Sequence, residues 1–144
     1  MRNLVLLLSI LFFSVQIATA QQALTPKQVE QAISKTGKYA ILVNTAQHLK
    51  AAIKTGNELK GEHKEIEFHI VMCGGVIKEL SSKSELQQMV TKAVNQNLTM
   101  LVCGMTLRNL NISADMMPKE ALLTENGLTY TFGLMELGFK VIAL

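Results

Sequence analysis

Short apolar runs separated by longer amphipathic segments organise the chain. Continuous or alternating apolar runs at 40–43, 66–73 and 100–103 are typical of strands that are buried in a parallel sheet. Weaker runs at 121–123 and 139–142 predict a fourth and a fifth strand. The apolar pattern therefore predicts a sheet of about five strands.

Helical spacing of apolar residues predicts the segments that connect these strands. One helix follows a predicted capping box at Ser82–Glu85, because Leu86, Val90 and Ala93 recur at helical spacing. The other predicted helices are 25–35 with Thr25 as its cap, 44–59 with Asn44 as its cap, 106–110, and 129–137 after a turn at Asn126-Gly127. Strands that alternate with helices through short linkers predict an α/β fold, a three-layer Rossmann-like sandwich with a mainly parallel sheet.

The first 20 residues have a different character. Leu4 to Ile17 is an almost unbroken apolar stretch that follows Arg2 and leads into Ala18-Thr19-Ala20. This pattern is typical of a secretory signal peptide, and its apolar part of about 14 residues is short of the roughly 20 that span a bilayer. We therefore expect cleavage before Gln21 and a single domain over 21–144. The mature protein is expected to be periplasmic or secreted, with no membrane contact.

Composition and charge exclude several functions. The 144 residues include 14 Lys and Arg against 11 Asp and Glu, with the two signs interleaved, and 5% aromatic residues. Nucleic-acid binding requires a one-signed patch and stacking aromatics, so we expect no nucleic-acid partner. Gly74-Gly75 follows a predicted strand but lacks the GxGxxG pattern and a Walker-type lysine, and GxSxG is absent. No cofactor is predicted.

Two cysteines carry the candidate chemistry. Cys73 and Cys103 each end a predicted strand, and each precedes a glycine. Reactive groups of open α/β sheets gather beyond the carboxyl ends of the strands. Backbone N–H groups at a helix start favour a thiolate there and lower the pKa of the thiol. We therefore expect a reactive thiol at this edge of the sheet, on the condition that Cys103 ionises and is reachable from solvent.

The same two cysteines also fit other interpretations. Each could be a buried, inert thiol. In an oxidising compartment, a Cys73–Cys103 disulfide would close a loop of about 30 residues and stabilise the fold by roughly 3 to 4 kcal/mol. A third interpretation is a soft-metal site of both cysteines and nearby methionines. We assign no metal ligand, because the cysteines are 29 residues apart and the three histidines lie on unrelated elements.

Three segments of the sequence resemble the DsrE/DsrF-like family. They are FHIVMCGGVIKEL at 68–80, VCGMTLRNLNI at 102–112 and GLMELGFKVI at 133–142, and the resemblance extends from about Tyr39 to Ile142. The Cys-Gly-x-Thr-Leu stretch that begins at Cys103, with Asp115-Met-Met-Pro118 after it, is similar to the exported branch of this family.

The resemblance implies a Rossmann-like sandwich that assembles into dimers, trimers or hexamers. It also implies that Cys103 stands at the position of a cysteine that carries sulfur as a persulfide. Gly104 and Thr106 would shape the turn and offer N–H groups to the bound sulfur. Arg108 is either an electrostatic helper or a solvated surface charge, and Gly74 belongs to the same predicted site. Cys73 departs from the family pattern, since many exported relatives have histidine there.

Two functional hypotheses follow. The first is an exported, sulfurtransferase-like carrier in which Cys103 accepts sulfane sulfur and Cys73 is the resolving or receiving thiol. Its partner would be a sulfur donor or acceptor protein or a small thiol. The second is a non-catalytic oligomeric binding protein whose cysteines are structural.

Overall fold

Strands and helices alternate along the computed structural model, which describes residues 23–144. The helices are α1 (Pro26–Glu30), α2 (Ala46–Glu62), α3 (Gly75–Ser82), α4 (Ser84–Asn95), α5 (Gly104–Asn109) and α6 (Gly127–Glu136). The strands are β1 (Lys38–Val43), β2 (Glu67–Met72), β3 (Thr99–Cys103), β4 (Leu122–Thr124) and β5 (Lys140–Ala143). A single turn of 3₁₀ helix spans Ala114–Met116.

The five strands form one parallel sheet in the order β4-β3-β2-β1-β5. Central strands β1, β2 and β3 are mostly buried, as expected for apolar runs that are covered on both faces. The predicted three-layer Rossmann-like sandwich is therefore confirmed, and all the strand pairs of this sheet are parallel.

Helices cover both faces of the sheet. The larger core lies on one face, where the apolar sides of α2, α3, α4 and α5 pack against the strands. The smaller core lies on the other face, where Leu134 of α6 packs with Ala40 and Phe139. The α6 helix contacts β1, β2, β3 and β5, so one helix covers most of this second face.

The chain divides into two compact units with the boundary between Ala32 and Ile33. Helix α1 lies in the first unit and every other element lies in the second. The predicted capping box of α1 is present, because Thr25 and Gln28 bond reciprocally. The helix ends at Glu30, however, and not at about Lys35. It has no buried residue, and a short helix without packing does not propagate.

Three further predictions about the helices are wrong. Ser82 does not cap α4, since it is the last residue of α3 and its hydroxyl donates to the carbonyls of Lys78 and Glu79. Asn44 does not cap α2. Thr45 caps it, because its hydroxyl accepts from the His48 N–H at 3.2 Å. Helix α6 begins at Gly127, where a turn was predicted.

Helix α3 was not predicted. It begins directly after the Gly74-Gly75 pair and is eight residues long, so its apolar pattern is only two turns. The Asn44 carbonyl accepts from the Val76 N–H at 2.8 Å and fixes the start of the helix. Val76, Ile77 and Leu80 are fully buried in the larger core, and this packing stabilises the short helix.

None of the helices within residues 23–144 is both long and apolar enough to span a bilayer. The predicted signal peptide, residues 1–20, lies outside the described residues.

The packing of α3 is testable with a single truncation. Leu80→Ala should lower the free energy of unfolding by about 2–5 kcal/mol, because it leaves a cavity in the larger core. Urea denaturation followed by circular dichroism measures this loss. Lys78→Ala on the exposed side of the same helix is the matched control and should change stability by less than about 0.5 kcal/mol. Equal effects of the two variants would contradict the assigned packing.

Candidate functional site

The fold brings the two cysteines to the same edge of the sheet. Cys103 is the last residue of β3, and Cys73 directly follows β2. Met72 of β2 is paired with Val102 of β3, so the two cysteines occupy the next position on neighbouring strands. Both thiols are free in this structure. The topology thus places them side by side at the carboxyl ends of the strands, where α/β sheets carry their reactive groups.

The two cysteines differ in exposure. Cys103 is 1% exposed, whereas Cys73 is only partly buried. The condition that Cys103 itself reaches solvent is therefore not met, and the sulfur nearer the surface is that of Cys73. A molecule that reacts with Cys103 has to approach past Cys73.

A backbone donor contacts the buried sulfur. The N–H of Gly127, the first residue of α6, donates to Sγ of Cys103 at 3.2 Å. Asn126 fixes this end of the helix, because its side-chain oxygen accepts from the Leu128 N–H at 3.0 Å. Cys103 also stands at the N-cap position of α5. The sulfur therefore lies at the start of two helices, where the backbone dipoles favour negative charge.

Gly127 has to be glycine for the two sulfurs to sit where they do. A Cβ at this position would lie 2.5 Å from Sγ of Cys73 and 3.2 Å from Cβ of Cys103. Gly104 permits the same approach from the other side, since a Cβ there would lie 2.8 Å from the Thr124 carbonyl. The Met105 N–H donates to the Glu125 carbonyl at 2.8 Å and holds the segment that leads to Gly127.

Thr106 connects the loops that follow the two strands. Its hydroxyl accepts from the Gly74 N–H at 3.2 Å, next to Cys73. The hydroxyl and the N–H of Thr106 are also among the groups that stabilise a negative charge on Cys103. Gly74 has φ 66° and ψ −138°, a backbone conformation that side chains other than hydrogen strongly disfavour. Predicted residues Gly74, Gly104 and Thr106 therefore all shape the surroundings of the sulfurs.

Arg108 lies at the margin of this arrangement. Its guanidinium donates to the Glu125 carbonyl at 3.4 Å, and the side chain is exposed. This contact secures the segment before Gly127, so Arg108 supports the position of the Gly127 N–H.

The surroundings move the two thiol pKa values in opposite directions. Burial raises the pKa of Cys103, but the Thr106 hydroxyl, the N–H groups of Gly127 and Thr106, and the Cys73 thiol outweigh it and hold this pKa below its ordinary value. Burial and the neighbouring Cys103 raise the pKa of Cys73 to about 12. The pair therefore carries one proton on Cys73 and a thiolate at Cys103 over a wide pH range. A thiolate is the nucleophilic form of cysteine.

Gly127 was not predicted as a site residue. The sequence marks the Asn126-Gly127 pair, but local pattern alone assigns it to a turn. The available signal is topological, because the residues after β4 reach the same edge as Cys103 once β4 is placed beside β3.

The described residues contain no group of three His, Cys, Asp or Glu side chains that could hold a metal ion. A separate, mostly apolar cavity of about 390 Å³ lies at the opposite end of α6, and it includes His69, Tyr130 and Phe139. His69 Nδ1 and the Tyr130 hydroxyl are 3.0 Å apart. Burial lowers the pKa of His69, and Glu67 only partly offsets this. His69 is thus a half-buried strand residue, as the sequence predicts.

Comparison with known proteins shows the fold alone. No family model and no curated protein matches the chain in sequence. The protein of unknown function MTH1491 from Methanobacterium thermoautotrophicum is similar in structure, with a TM-score of 0.68, 14% identity, and coverage of 75% of this chain and 99% of that one. The conserved protein of unknown function BT1422 from Bacteroides thetaiotaomicron has a TM-score of 0.59 at 18% identity, with coverage of 78% and 99%. The ychN protein from E. coli has a TM-score of 0.57 at 10% identity, with coverage of 74% and 99%.

Gly127→Ala tests the arrangement of the site. The added methyl group collides with both cysteines, so the Gly127 N–H should move away from Cys103 and the pKa of Cys103 should rise. Overpacking should also lower stability by about 1–3 kcal/mol. Ultraviolet absorbance of the thiolate against pH measures the first effect. In the unaltered protein, one thiolate should form below the ordinary cysteine range, and the second should form only near pH 12.

Gly133→Ala is the matched control on the same helix. A Cβ at position 133 would meet no atom within 4 Å, so the thiolate titration should not change. If Gly127→Ala also leaves the titration unchanged, the N–H contact does not stabilise the thiolate.

Proposed function

We propose that this protein handles sulfane sulfur, which Cys103 carries as a cysteine persulfide. The observation that carries the proposal is the buried Sγ of Cys103, which accepts from the Gly127 N–H beside a second, protonated thiol. A structural thiol does not require a backbone donor aimed at its sulfur. The same donor would stabilise the negative charge of a persulfide.

The transfer step is a nucleophilic exchange between sulfur atoms. The Cys103 thiolate attacks the outer sulfur of a donor persulfide, R–S–SH. A bond forms between that outer sulfur and Sγ of Cys103, the bond to the donor breaks, and the donor leaves as the thiolate R–S⁻. The hydrogen of the outer sulfur travels with it, so the product is the Cys103 persulfide and charge is balanced.

The exposure of the pair favours a small donor. Cys103 is 1% exposed, and Cys73 lies between it and the surface. A narrow, flexible persulfide of a low-molecular-weight thiol can reach such a sulfur more easily than a rigid protein loop can. We therefore propose a small persulfide or polysulfide as the donor. The leader-like pattern of residues 1–20 supports export as part of this proposal.

Persulfide formation on Cys103 is directly measurable. Reduced Cys73→Ser protein exposed anaerobically to glutathione persulfide should gain about 32 Da, the mass of one sulfur atom, on the peptide that contains Cys103. This variant retains the Gly127 donor and the Thr106 hydroxyl. Peptide mass spectrometry after alkylation gives the position of the added sulfur.

Cys103→Ser is the matched control, because it leaves a thiol of high pKa at position 73. It should acquire much less added sulfur under the same conditions. Equal labelling of the two variants, or none of either, would refute Cys103 as the carrier.

We also propose that the chain self-associates through α6. Leu128, Phe132 and Met135 recur at i, i+4 and i+7, and they are 49%, 65% and 47% exposed. These three residues, here called the α6 stripe, form a continuous apolar face on one side of the helix. Glu136 is the one charged residue of this helix, so little opposes packing against the same stripe of a second copy.

Phe132→Glu should dissociate the oligomer, because it places a charge in the centre of the α6 stripe while removing little core packing. Size-exclusion chromatography with light scattering should show the unaltered protein as an oligomer and the variant as a monomer. Thr129→Glu introduces the same charge on an exposed position beside the stripe and should leave the oligomer intact. A monomeric unaltered protein would contradict the proposal.

A further inference from the structure

We infer that the two cysteines act together as a dithiol that reduces sulfane sulfur to sulfide, with a Cys73–Cys103 disulfide as the protein's product. The inference rests on the persulfide proposed above and specifies the fate of that persulfide. A persulfide on Cys103 is then a short-lived intermediate, because the thiol that resolves it is already beside it.

Strand geometry makes the disulfide accessible. The cysteines lie one position beyond the Met72–Val102 pair on adjacent parallel strands. Neighbouring strands are about 4.8 Å apart, within the range of Cα separations that a disulfide accepts. Both side chains also converge on Gly127, since a Cβ there would touch Sγ of Cys73 and Cβ of Cys103. The missing side chain at 127 leaves the space in which the two sulfurs can meet.

The resolving step balances without an added reagent. Sγ of Cys73 attacks the inner sulfur of the Cys103 persulfide and forms the disulfide bond. The bond between the inner and outer sulfurs breaks, and the outer sulfur takes the proton of Cys73 and leaves as HS⁻. In this step the two cysteine sulfurs are oxidised and the sulfane sulfur is reduced to sulfide. A thiol held next to its target reacts far faster than one in solution.

The asymmetry of the pair also suits its re-reduction. An external dithiol, the co-reactant that this activity requires, would attack the partly exposed sulfur of Cys73. Cys103 then leaves as a thiolate, which the Gly127 N–H stabilises. Thiol–disulfide exchange is faster when the leaving thiol is the more acidic one. Oxidation of the external dithiol to its disulfide restores both protein thiols.

The experiment follows sulfide, thiols and mass together. Reduced protein, freed of reductant and kept anaerobic, is mixed with glutathione persulfide. The unaltered protein should release about one equivalent of sulfide per chain, lose both titratable thiols, and lose about 2 Da. Cys73→Ser should keep the added sulfur of about 32 Da on Cys103 and release sulfide at least about tenfold more slowly. Cys73→Ala serves as a second variant, and thermal unfolding confirms that both are folded.

Each outcome separates this inference from the proposed function. If the unaltered protein keeps a persulfide on Cys103 with a free Cys73 and no sulfide, the dithiol inference is overturned and the carrier proposal stands. If neither the unaltered protein nor either variant takes up sulfur, the carrier proposal fails as well. If the variants do not fold, a wild-type release of sulfide without loss of both thiols is sufficient to overturn the inference.

Discussion

The hydrogen bond from the Gly127 N–H to Sγ of Cys103 is the contact on which the site depends. Burial alone would keep Cys103 protonated and inert, because an anion is costly where water is excluded. The Gly127 N–H and the Thr106 groups reverse that outcome and hold the pKa of Cys103 low. Cys73 does not have this support, so its pKa rises to about 12. Two chemically identical side chains thereby acquire different roles.

This contact is possible only because three backbone positions carry no side chain. Gly127 admits both sulfurs, Gly104 admits the Thr124 carbonyl, and Gly74 adopts a positive φ directly after Cys73. Thr106 then joins the Cys73 and Cys103 loops through the Gly74 N–H. The site is thus built from backbone geometry, with few charged side chains, which agrees with a reaction between sulfur atoms that requires no metal ligand or carboxylate.

Local sequence pattern was sufficient for the strands and insufficient for the far side of the site. Each apolar run near a cysteine became a buried strand, so the shared edge of Cys73 and Cys103 followed from general rules of parallel sheets. Helix α3 was missed because two helical turns carry little periodic signal and depend on packing of Val76 and Leu80. Gly127 was missed because it reaches Cys103 through the long-range pairing of β4 with β3, which no local pattern encodes.

Helix α6 is a rigid body with two occupied ends. Its first N–H contacts a sulfur, and the α6 stripe is on its outer side. A displacement of this helix therefore alters a hydrogen bond and a contact surface at once. Thermodynamic reciprocity then requires that any influence of assembly on the proton affinity of Cys103 be matched by an equal influence of protonation on assembly. Acidity at one sulfur and concentration of the whole protein become variables of a single equilibrium.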